Sequence, residues 1–454
     1  MPQSFADFIV NTAYEDIPED VLSVMRRSLL DTIGVAIIGS TTDISRIVRR
    51  YADDFWNAPT GKPGARMMVD GRRVSPAGAA FAGAFTIDSI DAHDGFSAVK
   101  GHAGSAVLPA MLAVCDERRE AGNPLGAKDF MLGQILAYEV GYRSGLTMHG
   151  TVSDYHTSGA WNAVGVASAA ARLVGLDAEG IRHAAGIAEY HGPRSQMMRC
   201  IDFPSMVRDG VGWGSPTGVA AAYMAGLGFT GAPAITIEGD EAAPWWDDLG
   251  TRWEIGGTHY KRYPVCRWAH PSLDAISELM TEHNLNHHDI EKMRIQTFHY
   301  ATRLAGAEPK NLDDLSYSIV YPAAIMAVRG KVGREELLDE VLHDPDIQRI
   351  AQATDLVETD HYTKISTRQR WADVTIYLKD GRSVMSEPKT PKGDPEDPLS
   401  DQEILDKFRL LTDGLIDKTR AREIEQACPE FDKLSAVDFN HLQDNIFNAI
   451  SGTS

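Results

Sequence analysis

The residues that could do chemistry are concentrated in one short stretch of the chain, residues 88–109. This stretch contains acidic, basic and imidazole side chains close together: Asp88, Asp91, His93, Asp94, Lys100 and His102. A run of small residues, 75–84, precedes it, and an apolar run, 106–114, follows it. If both runs are helices, the titratable groups lie at the edge of a hydrophobic core, where perturbed pKa values are common. The stretch therefore predicts an acid–base site, and a polar surface loop with helix caps at Asp88 or Ser105 is the alternative.

Asp91 and His102 are the first candidates for proton transfer within this stretch. A carboxylate and an imidazole can act as acid and base when burial and neighbouring charges bring their pKa values near neutrality. His93 and Asp94 are of the same chemical types and compete for the same roles. The sequence leaves the assignment among these four residues open.

A metal site is the other chemistry that such a cluster of carboxylates suggests. The spacing of Asp88, Asp91, Asp94 and Gly95 is similar to that of a calcium-binding loop, but the oxygen donor expected at the twelfth loop position is missing. The four cysteines are scattered and form no CxxC pair, which disfavours a zinc or iron–sulfur site built from cysteine. We therefore predict no metal and no cofactor.

Two further candidates lie outside the stretch. His156 precedes a helix of small residues and could be a base, an anion contact or an N-terminal cap, although Thr157 and Ser158 are better caps. Lys261 lies where a helical pattern gives way to a different one, and clefts between domains are preferred ligand sites. A lysine there could neutralise a carboxylate or transfer a proton, and a surface lysine at a hinge is the alternative.

The charge balance narrows the range of partners. The 454-residue chain has a formal net charge of −20, which disfavours nucleic-acid binding because phosphates need a basic surface. Against this acidity, two local cationic clusters could collect a polyanionic ligand, unless they form ordinary surface ion pairs. These clusters are Arg194, Arg199 and Arg208, and Lys261, Arg262 and Arg267. No apolar run is long enough to span a membrane and no secretory signal is recognisable, so we expect a cytoplasmic protein.

Hydrophobic periodicity predicts two kinds of structure along the chain. Up to about residue 250 nearly every segment has helical spacing or helix caps, and the predicted helices are 21–38, 42–55, 75–84, 106–117, 129–148, 159–174, 178–189 and 217–226. After residue 256 the pattern alternates as in strands at 292–300 and in a hairpin at 372–384, with helices at 321–328, 335–342 and 346–352 between them. Residues 388–398 read as a linker, and a capping box of Ser400 and Glu403 opens a helix at 401–411, followed by one near 438–450.

These elements predict a mostly α protein with two domains. We expect a large all-helical domain built from residues 1–256 and completed by residues 398–454. A smaller α+β domain, residues 257–397, would be inserted into it like a lid.

Several short motifs, in their order and spacing, resemble the MmgE/PrpD family of 2-methylcitrate dehydratases, cis-aconitate decarboxylases and iminodisuccinate epimerases. The motifs are LDTIG (30–34), SID (89–91), GH (101–102), SAVLP (105–109), HT (156–157), MVRDG (206–210), GLGFTG (226–231) and KRYP (261–264). The resemblance covers nearly the whole chain. It implies the same helical domain and lid, a homodimer, and an active site between the domains.

The resemblance also implies roles for individual residues. The positions that match the family's catalytic residues are Asp91, His102, His156, Lys261 and Tyr321. Arg208 occupies a segment in which the family often has a lysine and would serve as a carboxylate clamp. His93, Arg262 and Arg267 are the other residues expected to contact substrate. The loop around His93 departs from the family pattern, and this loop faces the substrate.

The function that follows is a cofactor-free lyase or isomerase acting on a small di- or tricarboxylate. A proton would leave the carbon next to a carboxylate, with Lys261 and an arginine stabilising the developing charge. His156 or Asp91 would be the base and His102 or Tyr321 the acid, or the reverse. A hydro-lyase similar to 2-methylcitrate dehydratase is the first expectation, and an epimerase or decarboxylase is the alternative. A non-catalytic carboxylate-binding or scaffold protein is the alternative from another class.

Overall fold

The computed structural model describes residues 4–304 and 306–450, and its fold is mostly α. Helices make up 58% of it and strands only 8%, which confirms the predicted fold class. Across the described residues, no helix combines the length and the hydrophobicity needed to span a bilayer.

Eleven α-helices precede the change of pattern at residue 256 within the described residues. They are α1 (Phe5–Asn11), α2 (Glu19–Gly39), α3 (Asp43–Phe55), α4 (Pro76–Asp88), α5 (Gly104–Glu120), α6 (Ala127–Thr151), α7 (Gly159–Leu173), α8 (Ala178–His191), α9 (Met198–Asp202), α10 (Val211–Gly226) and α11 (Ile235–Glu238). Two short antiparallel strand pairs accompany them: β1 (Ala65–Arg66) with β2 (Arg73–Val74), and β3 (Gly95–Phe96) with β4 (Thr258–His259), which follows these helices in the chain. All eight helices predicted for this part are present, most of them a few residues longer than predicted.

Small residues allow the central helices of this part to pack very closely. A Cβ added at Gly165 of α7 would lie 2.3 Å from the carbonyl oxygen of Ala137 in α6. One added at Gly214 of α10 would lie 2.4 Å from the carbonyl oxygen of Gly159 in α7. The backbones therefore meet almost directly, and glycine is required at these positions because nothing larger fits between them.

A four-stranded sheet dominates the second part of the chain. The strands are β5 (Ile290–Thr297), β6 (Thr354–Glu358), β7 (Ala372–Leu378) and β8 (Ser383–Met385), in the order β6-β5-β7-β8. The helices around the sheet are α12 (His270–Glu282), α13 (His299–Thr302), α14 (Leu312–Ser316), α15 (Val320–Arg329), α16 (Pro345–Gln352) and α17 (Asp360–Ile365). Met293, Ile295 and Thr297 are buried on one face of β5, as the alternation predicts. The segment predicted as one helix at 335–342 instead forms two short 3₁₀ helices.

The C-terminal helices pack back onto the first part. They are α18 (Asp401–Thr412), α19 (Lys418–Ala427) and α20 (Ala436–Phe447), and α18 begins with the predicted capping box. Lys407 of α18 forms a buried ion pair with Asp31 of α2, and its ammonium also donates to the carbonyl of Ala92. The C-terminal segment is thus tied to the Asp- and His-rich stretch, while the exact domain boundaries remain a prediction.

The segment predicted as a linker is a structured part of the fold. Lys389 exchanges two backbone hydrogen bonds with Ala372 at the start of β7. Gly393, at φ 107°, accepts a hydrogen bond from the backbone N–H of Tyr260. Asp394, from the same segment, pairs with the guanidinium of Arg267. The segment therefore fixes the position of a cationic side chain instead of merely connecting two domains.

Candidate active site

A central cavity of about 60 Å³ lies where the Asp- and His-rich stretch meets the second part of the chain. The polar and aromatic residues around it are Asp88, Asp91, His93, Ser97, Lys100, His102, Tyr155, Asp209, His259, Lys261, Arg267, Trp268, Tyr317 and Arg370. This volume holds only a few water molecules, so the cavity suits a small ligand. Most of its charged groups are buried, which strengthens the electrostatic interactions between them.

A short strand pair brings the two parts of the chain together at the cavity. Gly95 of β3 pairs with His259 of β4, in antiparallel register. A Cβ at Gly95 would lie 2.8 Å from both His102 Nδ1 and His259 Nε2. Glycine at this position therefore lets two histidine rings approach the same point, and the pairing carries Lys261, two residues after β4, to the Asp- and His-rich stretch.

The ammonium of Lys261 forms an ion pair with the carboxylate of Asp91. Both side chains are buried, Lys261 at 1% exposure and Asp91 at 8%. Burial is the largest single influence and would raise the pKa of Asp91, but the charge of Lys261, together with His93, His102 and the hydrogen bond from Lys261, holds that pKa well below its usual value. Asp91 is therefore ionised at neutral pH and forms a buried ion pair with Lys261 at the central cavity.

His102 presents a free ring nitrogen to the central cavity. Its Nδ1 lies 2.6 Å from the backbone carbonyl oxygen of Asp94, and since a carbonyl can only accept, Nδ1 carries the proton. Nε2 is therefore the unprotonated nitrogen. Burial, and then the charge of Lys261, lower the pKa of His102 well below its usual value, so the ring is neutral and Nε2 can accept a proton.

His93 and Asp94 support this arrangement. His93 Nε2 lies 3.0 Å from Asp88 Oδ1, and its ring lies 4.2 Å from that of His102. The carboxylate of Asp94 accepts hydrogen bonds from Tyr138 and from the backbone N–H of Gly104. With both oxygens engaged and the side chain fully buried, Asp94 holds the loop in place, and the structure does not bring its carboxylate to the central cavity.

Asp91, His93 and His102 could together hold a metal ion, since one ligand atom from each lies within 4.8 Å of the others. Asp91 Oδ1, which lies 3.9 Å from His93 Nε2, is also the atom that Lys261 contacts. An ammonium and a metal cation would compete for this oxygen. The donor set fits a metal only if Lys261 moves away, so the prediction of a metal-free site stays a prediction that chelation can test.

Sequence reasoning missed several groups that line the central cavity. Asp209 accepts two hydrogen bonds from Ser158, and burial, followed by the charge of Asp88, raises its pKa well above the usual value. Tyr317 is 7% exposed, and its hydroxyl has no hydrogen-bond partner among the described residues. The motif that includes Arg208 could have pointed to Asp209, its neighbour in sequence, but nothing in the sequence distinguishes Tyr317.

Arg370 and Lys100 are two further cations at this cavity. Arg370 is 7% exposed and its Nε is buried without a partner. Lys100 stacks over the ring of Tyr155 at 5.0 Å. Neither forms an ion pair among the described residues, in contrast to Lys261 with Asp91 and Arg267 with Asp394. Burial, and then the charge of Arg267, lower the pKa of Arg370 to about 10, so the guanidinium remains charged at neutral pH.

Four of the residues predicted for the site do not line the central cavity. Tyr321 is buried in α15, where its hydroxyl donates to the carbonyl of Val341. Arg262 points outward, 46% exposed, and pairs with Asp274. The side chains of these two residues point away from the central cavity and make structural contacts elsewhere.

His156 and Arg208 lie behind the wall of the central cavity. The ring of His156 stacks on that of His149 at 5.0 Å, and its Nδ1 contacts Asp154. Burial lowers the pKa of His156, and its Nε2 has no partner. Arg208 pairs with Asp313 and lies over the ring of Tyr317 at 5.6 Å. Arg208 thus touches a residue of the cavity without lining it.

Two of the residues near the site have strained backbones. Lys100 has φ 54° and Arg208 has φ 49°, the left-handed region that side chains other than glycine, asparagine and aspartate rarely adopt. Such strain costs of the order of 1 kcal/mol or more per residue and is retained most often at functional sites. Its occurrence at two cations beside one cavity supports a binding role for this region.

Comparisons with known proteins agree with this picture over most of the chain. Residues 3–243 match the MmgE/PrpD N-terminal domain, and residues 263–431 match the MmgE/PrpD C-terminal domain. A cis-aconitate decarboxylase of Aspergillus terreus is 24% identical, covering 94% of this chain and 92% of the relative. The human cis-aconitate decarboxylase is 23% identical over 90% of this chain and 86% of its own length. A cis-aconitate decarboxylase-like protein of Aspergillus oryzae is also 23% identical, over 91% and 90%.

Proposed function

The chain belongs to the MmgE/PrpD family, and from this premise we propose that it is a lyase acting on a small di- or tricarboxylate without a metal or cofactor. A lyase-type enzyme acting on carboxylates is what the family membership supports. The observation that carries the proposal is the arrangement around Lys261. A buried ammonium, an ionised carboxylate and an unprotonated imidazole nitrogen line one small cavity.

Binding begins with charge. A substrate carboxylate approaches Lys261 and shares its ammonium with Asp91, and this added negative charge raises the pKa of His102 from its depressed value in the free protein. The same contact polarises the carboxylate, so that negative charge developing on it during reaction is stabilised in a region of low dielectric. Lys261 therefore acts both in binding and in the transition state.

Proton transfer involves two groups. His102 Nε2 removes the proton from the carbon next to the bound carboxylate, since it is the ring nitrogen without a proton. Tyr317, whose hydroxyl has no partner among the described residues, donates a proton to the hydroxyl that leaves from the neighbouring carbon. Loss of water then gives an alkene, as in a hydro-lyase. This assignment replaces Tyr321 by Tyr317 and leaves His156 to position neighbouring groups.

Decarboxylation is the second candidate, because the three relatives named above are cis-aconitate decarboxylases or a protein named as similar to them. In that reaction a carboxylate leaves as carbon dioxide, and the electron pair of the broken bond is taken up by the conjugated carboxylate bound at Lys261. A protonated group then delivers a proton to carbon. The same ammonium serves both reactions, and only the leaving group differs.

The experiment is a screen of metal-stripped protein with a panel of small polycarboxylates in heavy water. Proton NMR reports hydrogen exchange next to a carboxylate, ultraviolet absorbance reports alkene formation, and released carbon dioxide reports decarboxylation. We expect activity that chelator does not reduce. A protein that exchanges no proton and forms no product from any member of the panel would contradict the proposal, and activity that requires an added metal would contradict its cofactor-free part.

We also propose a homodimer, as expected for the family. Three large apolar side chains within residues 203–213 are exposed to solvent: Phe203 at 75%, Val207 at 62% and Trp213 at 47%. Exposed apolar groups of this size are typical of protein–protein interfaces. Light scattering coupled to size exclusion would measure the mass directly, and a monomer at micromolar concentration would contradict the proposal.

A further inference from the structure

One guanidinium at the central cavity, that of Arg370, forms no ion pair with any carboxylate among the described residues. Asp91 is paired with Lys261, and the acid nearest to the arginines, Asp394, is paired with Arg267. Both oxygens of Asp209 already accept hydrogen bonds from Ser158, and those of Asp88 contact His93 Nε2 and the backbone N–H of Asp209. Arg370 is left as a buried cation with no carboxylate of its own among the described residues.

The immediate surroundings of Arg370 satisfy only part of its hydrogen-bonding capacity. One terminal nitrogen donates to the backbone carbonyls of residues 366–369 at 3.1 to 3.4 Å. The ring of Phe298 lies 5.7 Å away on another side, while Nε has no partner. Removing a guanidinium from water is energetically unfavourable unless an anion replaces its lost interactions with water. The chain keeps Arg370 buried at the cavity wall, where a bound anion could supply that partner.

We infer that Arg370 is the binding site for a second carboxylate of the substrate, separate from the carboxylate held by Lys261. This inference rests on the proposed function and assigns a residue to the second carboxylate of its di- or tricarboxylate substrate. A guanidinium can receive a carboxylate through two parallel hydrogen bonds. Arg370 lies in the loop before β7, whereas Lys261 follows β4. Two separate elements would therefore bind the two carboxylates of one ligand.

Lys100 adds to the same demand for negative charge. It also lines the central cavity without an ion pair, and its pKa is lowered by burial first and by the charge of Arg370 second. Two unpaired cations that repel each other across the cavity become favourable neighbours once a carboxylate lies between them. Arg370 is thus a specificity-determining residue that selects dianionic or trianionic ligands over monoanions.

The test uses binding without turnover. The two probes are glutarate, a dicarboxylate, and glutaramate, in which one of the two carboxylates is replaced by an amide of nearly the same shape. Calorimetric titration of the full-length protein with each probe gives the preference for the second charge. For the wild type we expect glutarate to bind about 10- to 100-fold tighter, the range expected for a hydrogen bond between charged groups.

Arg370→Gln should remove most of this preference, so that the two probes bind within about threefold of each other. Arg370→Lys should restore part of it, because lysine returns the positive charge but cannot form the two parallel hydrogen bonds of a guanidinium. Arg368→Gln is the matched control, since Arg368 lies in the same loop but is exposed and does not line the cavity. Thermal unfolding checks that each variant is folded.

A wild type without preference, or an Arg370→Gln protein that keeps the full preference, would overturn the inference. The outcome is separable from the proposed function. A protein that binds dianions through Arg370 but converts no substrate keeps this inference and loses the proposed function. A protein whose turnover of polycarboxylates is unaffected by Arg370→Gln keeps the proposed function and loses this inference.

Discussion

Lys261 and Asp91, 170 residues apart in the chain, form a buried ion pair at the wall of the central cavity. The pairing of β3 with β4 creates this contact, because it places the residues just before Lys261 beside those just after Asp91. Neither partner can be removed without leaving the other as an isolated buried charge. This dependence links the stability of the site to its chemistry.

Lys261→Met should therefore reduce both properties. Breaking a buried ion pair by removing one partner costs about 3–5 kcal/mol, and losing the cation that stabilises developing charge should lower kcat/KM by about 100-fold or more. Urea unfolding measures the first effect and steady-state kinetics on the substrate found by the screen measures the second.

The double variant Asp91→Asn with Lys261→Met is the control for this prediction. It removes the uncompensated carboxylate, so stability should recover while activity does not. Recovery of activity together with stability would mean that Lys261 serves the fold alone.

Tyr317 and Tyr321 lie four residues apart, Tyr317 just after the end of α14 and Tyr321 in the first turn of α15, and the structure separates their roles. Tyr317→Phe removes the hydroxyl at the central cavity and should lower kcat by about 100-fold, the scale of a lost general acid. Tyr321→Phe removes only the hydrogen bond to Val341 and should cost about 1 kcal/mol of stability with activity close to that of the wild type. Kinetics and thermal unfolding of both variants decide the matter, and the reverse pattern would restore Tyr321 as the catalytic group.

Substitution of Gly95 tests whether catalysis depends on the close approach of the His102 and His259 rings. A Cβ at this position would lie 2.8 Å from the rings of both His102 and His259 and would displace them. Small displacements of a reacting group lower the reaction rate strongly. Gly95→Ala should lower kcat/KM by about tenfold or more. Gly256→Ala is the matched control, because no atom lies within 4 Å of a Cβ there. Equal kinetics for the two variants would show that this close approach has no catalytic importance.

Local sequence patterns predicted the helices well because their signals are local. Periodic apolar residues, small-residue runs and the Ser400 capping box each specify a helix without reference to the rest of the chain. The strand β6 was not predicted, since its five residues show no clear alternation of burial and it forms by pairing with β5, some sixty residues earlier in the chain. The pairing of β3 with β4 is equally non-local, at two residues per strand.

The candidate site was predictable to the extent that its chemistry is clustered in sequence. Asp91, His93, His102, Lys261 and Arg267 all line the central cavity, and three of them, Asp91, His102 and Lys261, belong to the family motifs recognised in the sequence. Tyr321 and Arg262 do not reach it, because the direction of a side chain depends on helix phase and strand register. Arg370 could not be recognised, since a guanidinium buried without a carboxylate is a property of three-dimensional packing.

The pH dependence of stability offers a test away from the site. His270, buried at the start of α12, has its pKa lowered from 6.5 to about 3, first by burial. The unfolded chain takes up a proton near pH 6.5 while the folded protein does not, so this residue's contribution to stability is complete above pH 6.5 and is lost as the pH falls toward 3. Between these values the expected slope is about 1.4 kcal/mol per pH unit.

His270→Gln cannot take up this proton, so its free energy of unfolding should fall less steeply than that of the wild type. We expect the difference in slope between pH 6 and pH 4 to approach about 1.4 kcal/mol per unit, measured by urea unfolding at pH 6, 5 and 4. Comparing variant with wild type cancels the contributions of the other buried acids and histidines. His283→Gln, at the exposed far end of the same helix, should leave the slope unchanged. Equal slopes for wild type and His270→Gln would mean that His270 accepts its proton in the folded state, which the burial of its Nδ1 without a hydrogen-bond partner argues against.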